Sequence, residues 1–210
     1  MRAGEGEIGL MNREYRAYRR LFHFMKIVFF FIYKIKQVGK ENITPGPAVL
    51  CANHSSNFDP VLISLAAGIE NHLHYMGKAE LFRVPILGAV LRSIGSFPVR
   101  RGQNDVNAIK ISLKYLREGE KIAIFPEGTR VRTEEGADAK SGAVRIADQM
   151  SVPVIPVYVP RKKKLFHTCK IVFGSPYLIN PDKKKLTQID YSAAADALMA
   201  DIASLKQAAE

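Results

Sequence analysis

The sequence predicts an α/β protein with a mixed, largely parallel sheet flanked by helices. Two observations lead there. From residue 45 onward, short apolar runs of strand length alternate with helix-length apolar-polar patterns. Glycine and proline punctuate the joints, at Pro45-Gly46-Pro47, Gly102, Gly119 and Gly174-Ser175-Pro176. A chain of 210 residues with 47% apolar content can bury a sizeable core, which excludes a largely disordered or collagen-like protein. The expected organisation is a leader and N-terminal helix over 1–40, then one α/β domain over 41–210.

The first forty residues differ from the rest, with nine basic residues against three acids. Residues 1–11 lack apolar periodicity and are expected to be a flexible leader. From Asn12 the pattern is helical, and 21–33 is densely apolar, broken by His23 and Lys26. A helix of that length rises roughly 20 Å, whereas a bilayer core is about 30 Å thick. It is too short to span comfortably. A signal peptide is disfavoured because Lys34-Ile35-Lys36 stands where small residues should mark cleavage. The favoured reading is a membrane-associating interfacial helix, with Phe22, Phe24, Phe29, Phe30 and Phe31 among acyl chains and Arg16, Arg19 and Arg20 near phosphates. A helix packed on the domain core, or a true span, are the other readings.

In the body, strands are expected at 48–52, 73–76, 121–125, 154–159 and 170–173. Helices are expected at 60–67, 85–94, 106–117, 141–149 and 191–206. The first strand is wholly apolar, and the helix after it opens with Pro60, a residue suited to a first turn. The last helix is alanine-rich and reads as a packing helix with Asp196 and Asp201 on its wetter side.

Lysine and arginine total 31 against 20 acids, a formal charge of +11. Such a balance points to an anionic partner: an anionic membrane surface, phosphorylated substrates or nucleic acid. The basic runs 161–164 and 183–185 fit head groups or a solvated face equally well. No nucleic-acid motif with interleaved aromatics is present, so nucleic acid is not expected. The two cysteines, Cys51 and Cys169, exclude a disulfide scaffold and a four-cysteine zinc site. His72 and His74 share one face of a strand but lack a third ligand at metal spacing, so no metal is expected.

Chemistry concentrates after the first strand, in Asn53-His54-Ser55-Ser56-Asn57-Phe58-Asp59. Reactive groups gather at the carboxyl ends of strands in α/β sheets. A tight turn could return Asp59 to the His54 imidazole, fixing its tautomer and leaving the other nitrogen to accept a proton. Asp59 as a simple helix cap is the competing use. A second strand ends in Phe125-Pro126-Glu127-Gly128-Thr129-Arg130, where Gly128 permits a sharp turn and Arg130 offers a fork of donors to a phosphate. Gly95-Ser96-Phe97-Pro98-Val99-Arg100-Arg101 ends in paired arginines that could hold a phosphate or face solvent.

These segments together resemble the glycerophospholipid acyltransferase family, in particular the bacterial 1-acyl-glycerol-3-phosphate acyltransferases. Asn53-His54 with Asp59, then Gly95, Phe97 and Arg100, then 125–130, then Val152-Pro153-Val154-Ile155-Pro156-Val157 follow the family's order. Val131 after Arg130, and Ala139 before Lys140 and Gly142, depart from common family forms.

The resemblance implies acyl transfer from acyl-CoA or acyl carrier protein to the free sn-2 hydroxyl of 1-acyl-glycerol 3-phosphate (lysophosphatidic acid), giving phosphatidic acid. It implies His54 as general base oriented by Asp59, and Arg100, Arg130 and Lys78 as phosphate-binding. Asn53, Gly95, Phe97, Glu127, Gly128 and Thr129 would shape the substrate pocket. No cofactor is implied beyond the acyl carrier as co-substrate. The expected location is the cytoplasmic face of the cell membrane, peripheral or monotopic. Acylation of glycerol 3-phosphate or another lysophospholipid, thioester hydrolysis, and a non-catalytic membrane-binding role are the alternatives.

Overall fold

A run of five apolar residues, Ala48–Ala52, has no polar face to give to water, so it suits a strand covered on both sides. That strand, β2, lies at the centre of the sheet. The computed structural model describes residues 3–100, 105–131, 133 and 139–210. The elements in chain order are α1 (Ala3–Ile32), β1 (Lys34–Val38), β2, α2 (Asp59–Ala67), β3 (Leu73–Lys78), α3 (Pro85–Ser93), β4 (Phe97–Val99), α4 (Val106–Arg117), β5 (Lys121–Ile124), α5 (Gly142–Met150), β6 (Val154–Tyr158), β7 (Thr168–Phe173), α6 (Gln188–Ser204) and α7 (Lys206–Ala209).

Among the described residues, seven strands form one sheet in the order β1-β7-β6-β2-β5-β3-β4. β2 pairs in parallel with β5 on one side and β6 on the other. β3 continues from β5, and β4 from β3, again in parallel. β7 runs antiparallel to β6, and β1 runs parallel to β7. Five neighbouring strands therefore bring their carboxyl ends to one edge, while β7 and β1 point the other way.

Alternate residues of β2 serve two cores. Leu50 and Ala52 pack with Phe29, Leu62, Ile63, Ile155 and Ile171 under α1 and α2. Val49 and Cys51 pack with Leu113, Leu116, Val144 and Leu198 under α4, α5 and α6. Cys51 is a fully buried apolar filler whose thiol is pushed well up by burial. Caps secure two of these helices. Asp105 accepts from the amides of Asn107 and Ala108 at the start of α4, and Thr187 with Asp190 forms a capping box on α6.

Several expectations change at the N-terminus. The leader expected at 1–11 is helical from Ala3, continuous with the rest of α1. The boundary expected at residue 40 falls beyond β1, which pairs with β7 from Lys34↔Thr168 to Val38↔Val172 and so belongs to the sheet. The apolar face of α1 is also divided. Phe22 and Phe29, expected among acyl chains, are buried against the domain with Tyr18 and Tyr33. Phe24, Ile27, Phe30 and Phe31 face outward, with Phe30 76% exposed. Among the described residues, no helix is long and apolar enough to cross a membrane.

Candidate active site

The carboxyl ends of β2, β5 and β6 are neighbours, and each contributes to one cluster. The chain leaves β2 at Asn53, whose side chain is buried and clasps Val159 beyond β6. Its Nδ2 donates to the Val159 carbonyl and its Oδ1 accepts from the Val159 amide, both at 2.8 Å. The next residue, His54, is held through its own backbone. Its amide donates to Glu127 Oε2 at 2.8 Å, and its carbonyl accepts from the Val131 amide at 2.7 Å.

The His54 ring lies against Phe125, with centroids 4.1 Å apart and planes 21° from parallel. His54 Nδ1 is 2.9 Å from Asp59 Oδ2. The same oxygen accepts from the amides of Ser55 and Ser56, both at 2.7 Å. Asp59 is the first residue of α2, yet its carboxylate turns back to the preceding loop instead of capping the helix. A carboxylate can only accept, so Nδ1 carries the proton and Nε2 keeps its lone pair.

A lysine that the sequence placed in a surface run completes this arrangement. Lys163 Nζ lies 2.7 Å from Asp59 Oδ1 and donates to Ser55 Oγ at 2.9 Å. Its side chain is only 5% exposed, and that of Asp59 is fully buried. Burial by itself pushes the Asp59 carboxyl up, but the His54 hydrogen bond and the Lys163 charge outweigh it, and the group sits below its usual value near 3.8. Two positions earlier, Arg161 pairs with Glu127 and donates to the Val131 carbonyl at 2.7 Å. Lys162 and Lys164 remain exposed. A period-two alternation just past a strand was the signal for this split. The basic run 161–164 is therefore half internal, and the two inward cations neutralise the two buried acids of the site.

Beside the His54–Phe125 stack runs a groove of about 970 Å³. Val99, Phe125 and Pro126 give it an apolar wall, and Arg100, Lys140 and Arg145 supply positive charge along it. Its volume lies at the upper end of the range of small-molecule ligand sites.

Residues 34–160 match the protein-family model described as Acyltransferase. The chain belongs to the acyltransferase family. It is 37% identical to the 1-acyl-sn-glycerol-3-phosphate acyltransferase of Bacillus subtilis over 149 residues, covering 68% of this chain and 73% of that one. It is 30% identical to the chloroplastic 1-acyl-sn-glycerol-3-phosphate acyltransferase LPAT1 of Arabidopsis thaliana over 174 residues, spanning 78% of this chain but 46% of the plant protein. The fold is that of the 1-acyl-sn-glycerophosphate (LPA) acyltransferase PlsC of Thermotoga maritima, with a TM-score of 0.63 and 22% identity over 98% of this chain and 84% of that one.

The remaining motif positions of this acyltransferase chain divide between groove and scaffold. Gly128 lines the groove with φ at +64°, and a Cβ there would stand 2.9 Å from Lys140 Cε. Thr129 is exposed. Arg130 is exposed and donates to Asn57 Oδ1 at 2.9 Å, two residues before Asp59. Arg100 lies on the groove, but Arg101 and Gly102 fall outside the described residues. Lys78 ends β3 at the surface, 3.6 Å from Glu80 and in register with the groove residue Val99, and does not itself line the groove.

Asn53, Glu127, Gly95 and Phe97, expected in the substrate pocket, are buried and do not line the groove. Asn53 and Glu127 are spent on the backbone bonds above. Phe97 is buried against Tyr115, with centroids 5.9 Å apart. Gly95 lies under His74, at the opposite edge of the sheet from His54.

Proposed function

We propose that this chain transfers a fatty acyl group from an acyl thioester, acyl-CoA or acyl carrier protein, to the free sn-2 hydroxyl of 1-acyl-glycerol 3-phosphate. The product is phosphatidic acid, a step of phospholipid biosynthesis. The observation that carries this reading is the Asp59–His54 pair at the sheet edge, beside a groove with a cationic lining. The names of the relatives supply the substrate class.

In the proposed reaction, His54 Nε2 takes the proton of the acceptor hydroxyl as its oxygen attacks the thioester carbonyl. The imidazolium that forms is stabilised by the Asp59 carboxylate at 2.9 Å. Collapse of the tetrahedral adduct breaks the carbon–sulfur bond, and the departing thiolate takes the proton back from His54. A carbon–oxygen bond replaces the carbon–sulfur bond, His54 moves one proton from hydroxyl to thiolate, and the carrier thiol is the co-product, with no cofactor beyond the acyl carrier. Arg100 and Arg130 are assigned to the substrate phosphate, because Arg100 lines the groove and the exposed Arg130 holds Asn57 in the loop between His54 and Asp59.

The proposed partner is an anionic membrane surface at the cytoplasmic face. Phe24, Ile27, Phe30 and Phe31 of α1 are exposed, and so are Phe58, Leu165 and Phe166 from the loops after β2 and β6. Phe58 packs edge-on against Phe29, and the Phe166 amide donates to the Ile32 carbonyl. These contacts join the three segments into one apolar rim next to Asp59. A lipid acceptor could then enter from the bilayer without the chain spanning it.

The test is thiol release from an acyl thioester, with and without lysophosphatidic acid, for the native chain and His54→Ala. Release that requires both the lipid and His54, with phosphatidic acid appearing, is expected. Release without lipid would overturn it in favour of a thioesterase. Lipid-dependent release undiminished in His54→Ala would remove His54 as the base.

A further inference from the structure

We propose that His72, His74 and Glu120 bind a divalent transition-metal ion of the zinc type, at the edge of the sheet opposite His54. His74 lies near the amino end of β3, His72 immediately precedes that strand, and Glu120 immediately precedes β5. β3 and β5 pair in parallel with Leu73 beside Lys121 and His74 beside Ile122. The topology thus brings a third ligand from 46 residues beyond His74, which spacing within one strand could not reveal. One donor atom from each of the three side chains lies within 4.8 Å of the others.

The hydrogen bonding of the two rings suits ligation. His72 Nε2 is 2.9 Å from the Ile94 carbonyl, and His74 Nδ1 is 3.1 Å from the Gly95 carbonyl. A carbonyl only accepts, so each of these nitrogens carries the proton and the other nitrogen of each ring keeps a lone pair. Backbone carbonyls orient metal-bound histidines in this way. The free nitrogen of His74, Nε2, is buried on a side chain 2% exposed and makes no hydrogen bond. A Glu120 carboxylate oxygen stands 3.5 Å from it.

The surroundings favour a cation. His72, His74, Glu120, Glu118 and Glu14 line a pocket of about 180 Å³, an acidic spot on a chain whose formal charge is +11. Glu118 lies 3.6 Å from Lys114, and Glu14 of α1 lines the same pocket outside the cluster of three donors. Gly95 is required for the approach of His74, since a Cβ there would lie 2.3 Å from Nδ1. Ligands of a tetrahedral ion at about 2.1 Å stand roughly 3.4 Å apart. Binding would therefore draw the donors together, mainly by rotation of the half-exposed Glu120. Two imidazoles with carboxylates suit zinc, cobalt or nickel better than magnesium or calcium.

The test uses the full chain, stripped with chelator and titrated with cobalt(II) chloride. One equivalent is expected to bind with the visible absorption of a low-coordinate cobalt site, and one equivalent of zinc chloride should displace it. Glu120→Gln, partly exposed and so compatible with folding, should weaken binding by at least about tenfold. His74→Gln should remove the visible band. Absence of one-to-one binding at micromolar cobalt would overturn the proposal. So would affinity and band surviving in both variants, because the ion would then sit elsewhere and His74 and Glu120 would be a plain ion pair.

Discussion

Lys163→Met removes one charge from the site while keeping most of the side-chain volume. At 2.7 Å from Asp59 Oδ1, with both side chains almost wholly buried, the pair attracts by about 6 kcal/mol at an effective dielectric of 20. Several kcal/mol of ammonium desolvation offsets much of that. Removing one partner of a buried pair costs about 3–5 kcal/mol, because it strands the other charge. Asp59 keeps His54 and two amides as donors, so we expect the lower end, about 3 kcal/mol. In urea at pH 7, with a slope of about 2 kcal/mol per molar, the midpoint should fall by roughly 1.5 M. Adding Asp59→Asn removes the stranded charge, and the double variant should recover about 2 kcal/mol relative to the sum of the single losses. A loss below about 1 kcal/mol, typical of an exposed pair, or simple additivity in the double variant would refute this account.

Asp59→Asn should cut turnover by roughly a hundred- to ten-thousandfold in the thiol-release assay, because the amide no longer stabilises imidazolium. The same carboxyl sets an acid limb of stability. Its folded pKa is depressed below about 3.8, so its contribution is complete above that value and is lost as pH falls through the folded pKa. Acid titration monitored by circular dichroism should show a flatter limb in Asp59→Asn. Gly95→Ala should destabilise the chain by about 2 kcal/mol or more in urea, since φ is +77° and the new Cβ would meet His74. Phe30→Ser with Phe31→Ser should weaken binding to anionic vesicles by more than about tenfold, because each buried phenyl contributes about 1.5–3 kcal/mol. Its urea midpoint should hardly move, since both rings are exposed on the free protein.

The parallel core was legible because its strands are buried on both faces and read as uninterrupted apolar runs. Val106–Arg117 matches the expected helix residue for residue. β1 was not legible. Lys34-Ile35-Lys36-Gln37-Val38 is an edge strand largely open to solvent, and its lysines continue the basic pattern of α1. β4 is three residues long and contains a proline, too little for a pattern. His54 and Asp59 were readable because they stand five positions apart across one loop, whereas Lys163 and Glu120 reach their clusters only through the order of strands. A lysine written as Lys162-Lys163-Lys164 carries no local mark that its middle member turns inward.

The clasp between Asn53 and Val159 has a consequence for how the sheet stops. A primary amide presents one donor and one acceptor side by side, the same pair that a strand backbone offers to its neighbour. Asn53 therefore supplies a counterfeit rung, and the ladder between β2 and β6 is prolonged by a side chain after the main chain has left it. That substitution frees the next peptide to turn toward Glu127 and sets His54 at the frayed margin with its backbone already committed. Aspartate has the same shape but no donor, and leucine has neither, so the junction is written in the one short side chain that can imitate a peptide.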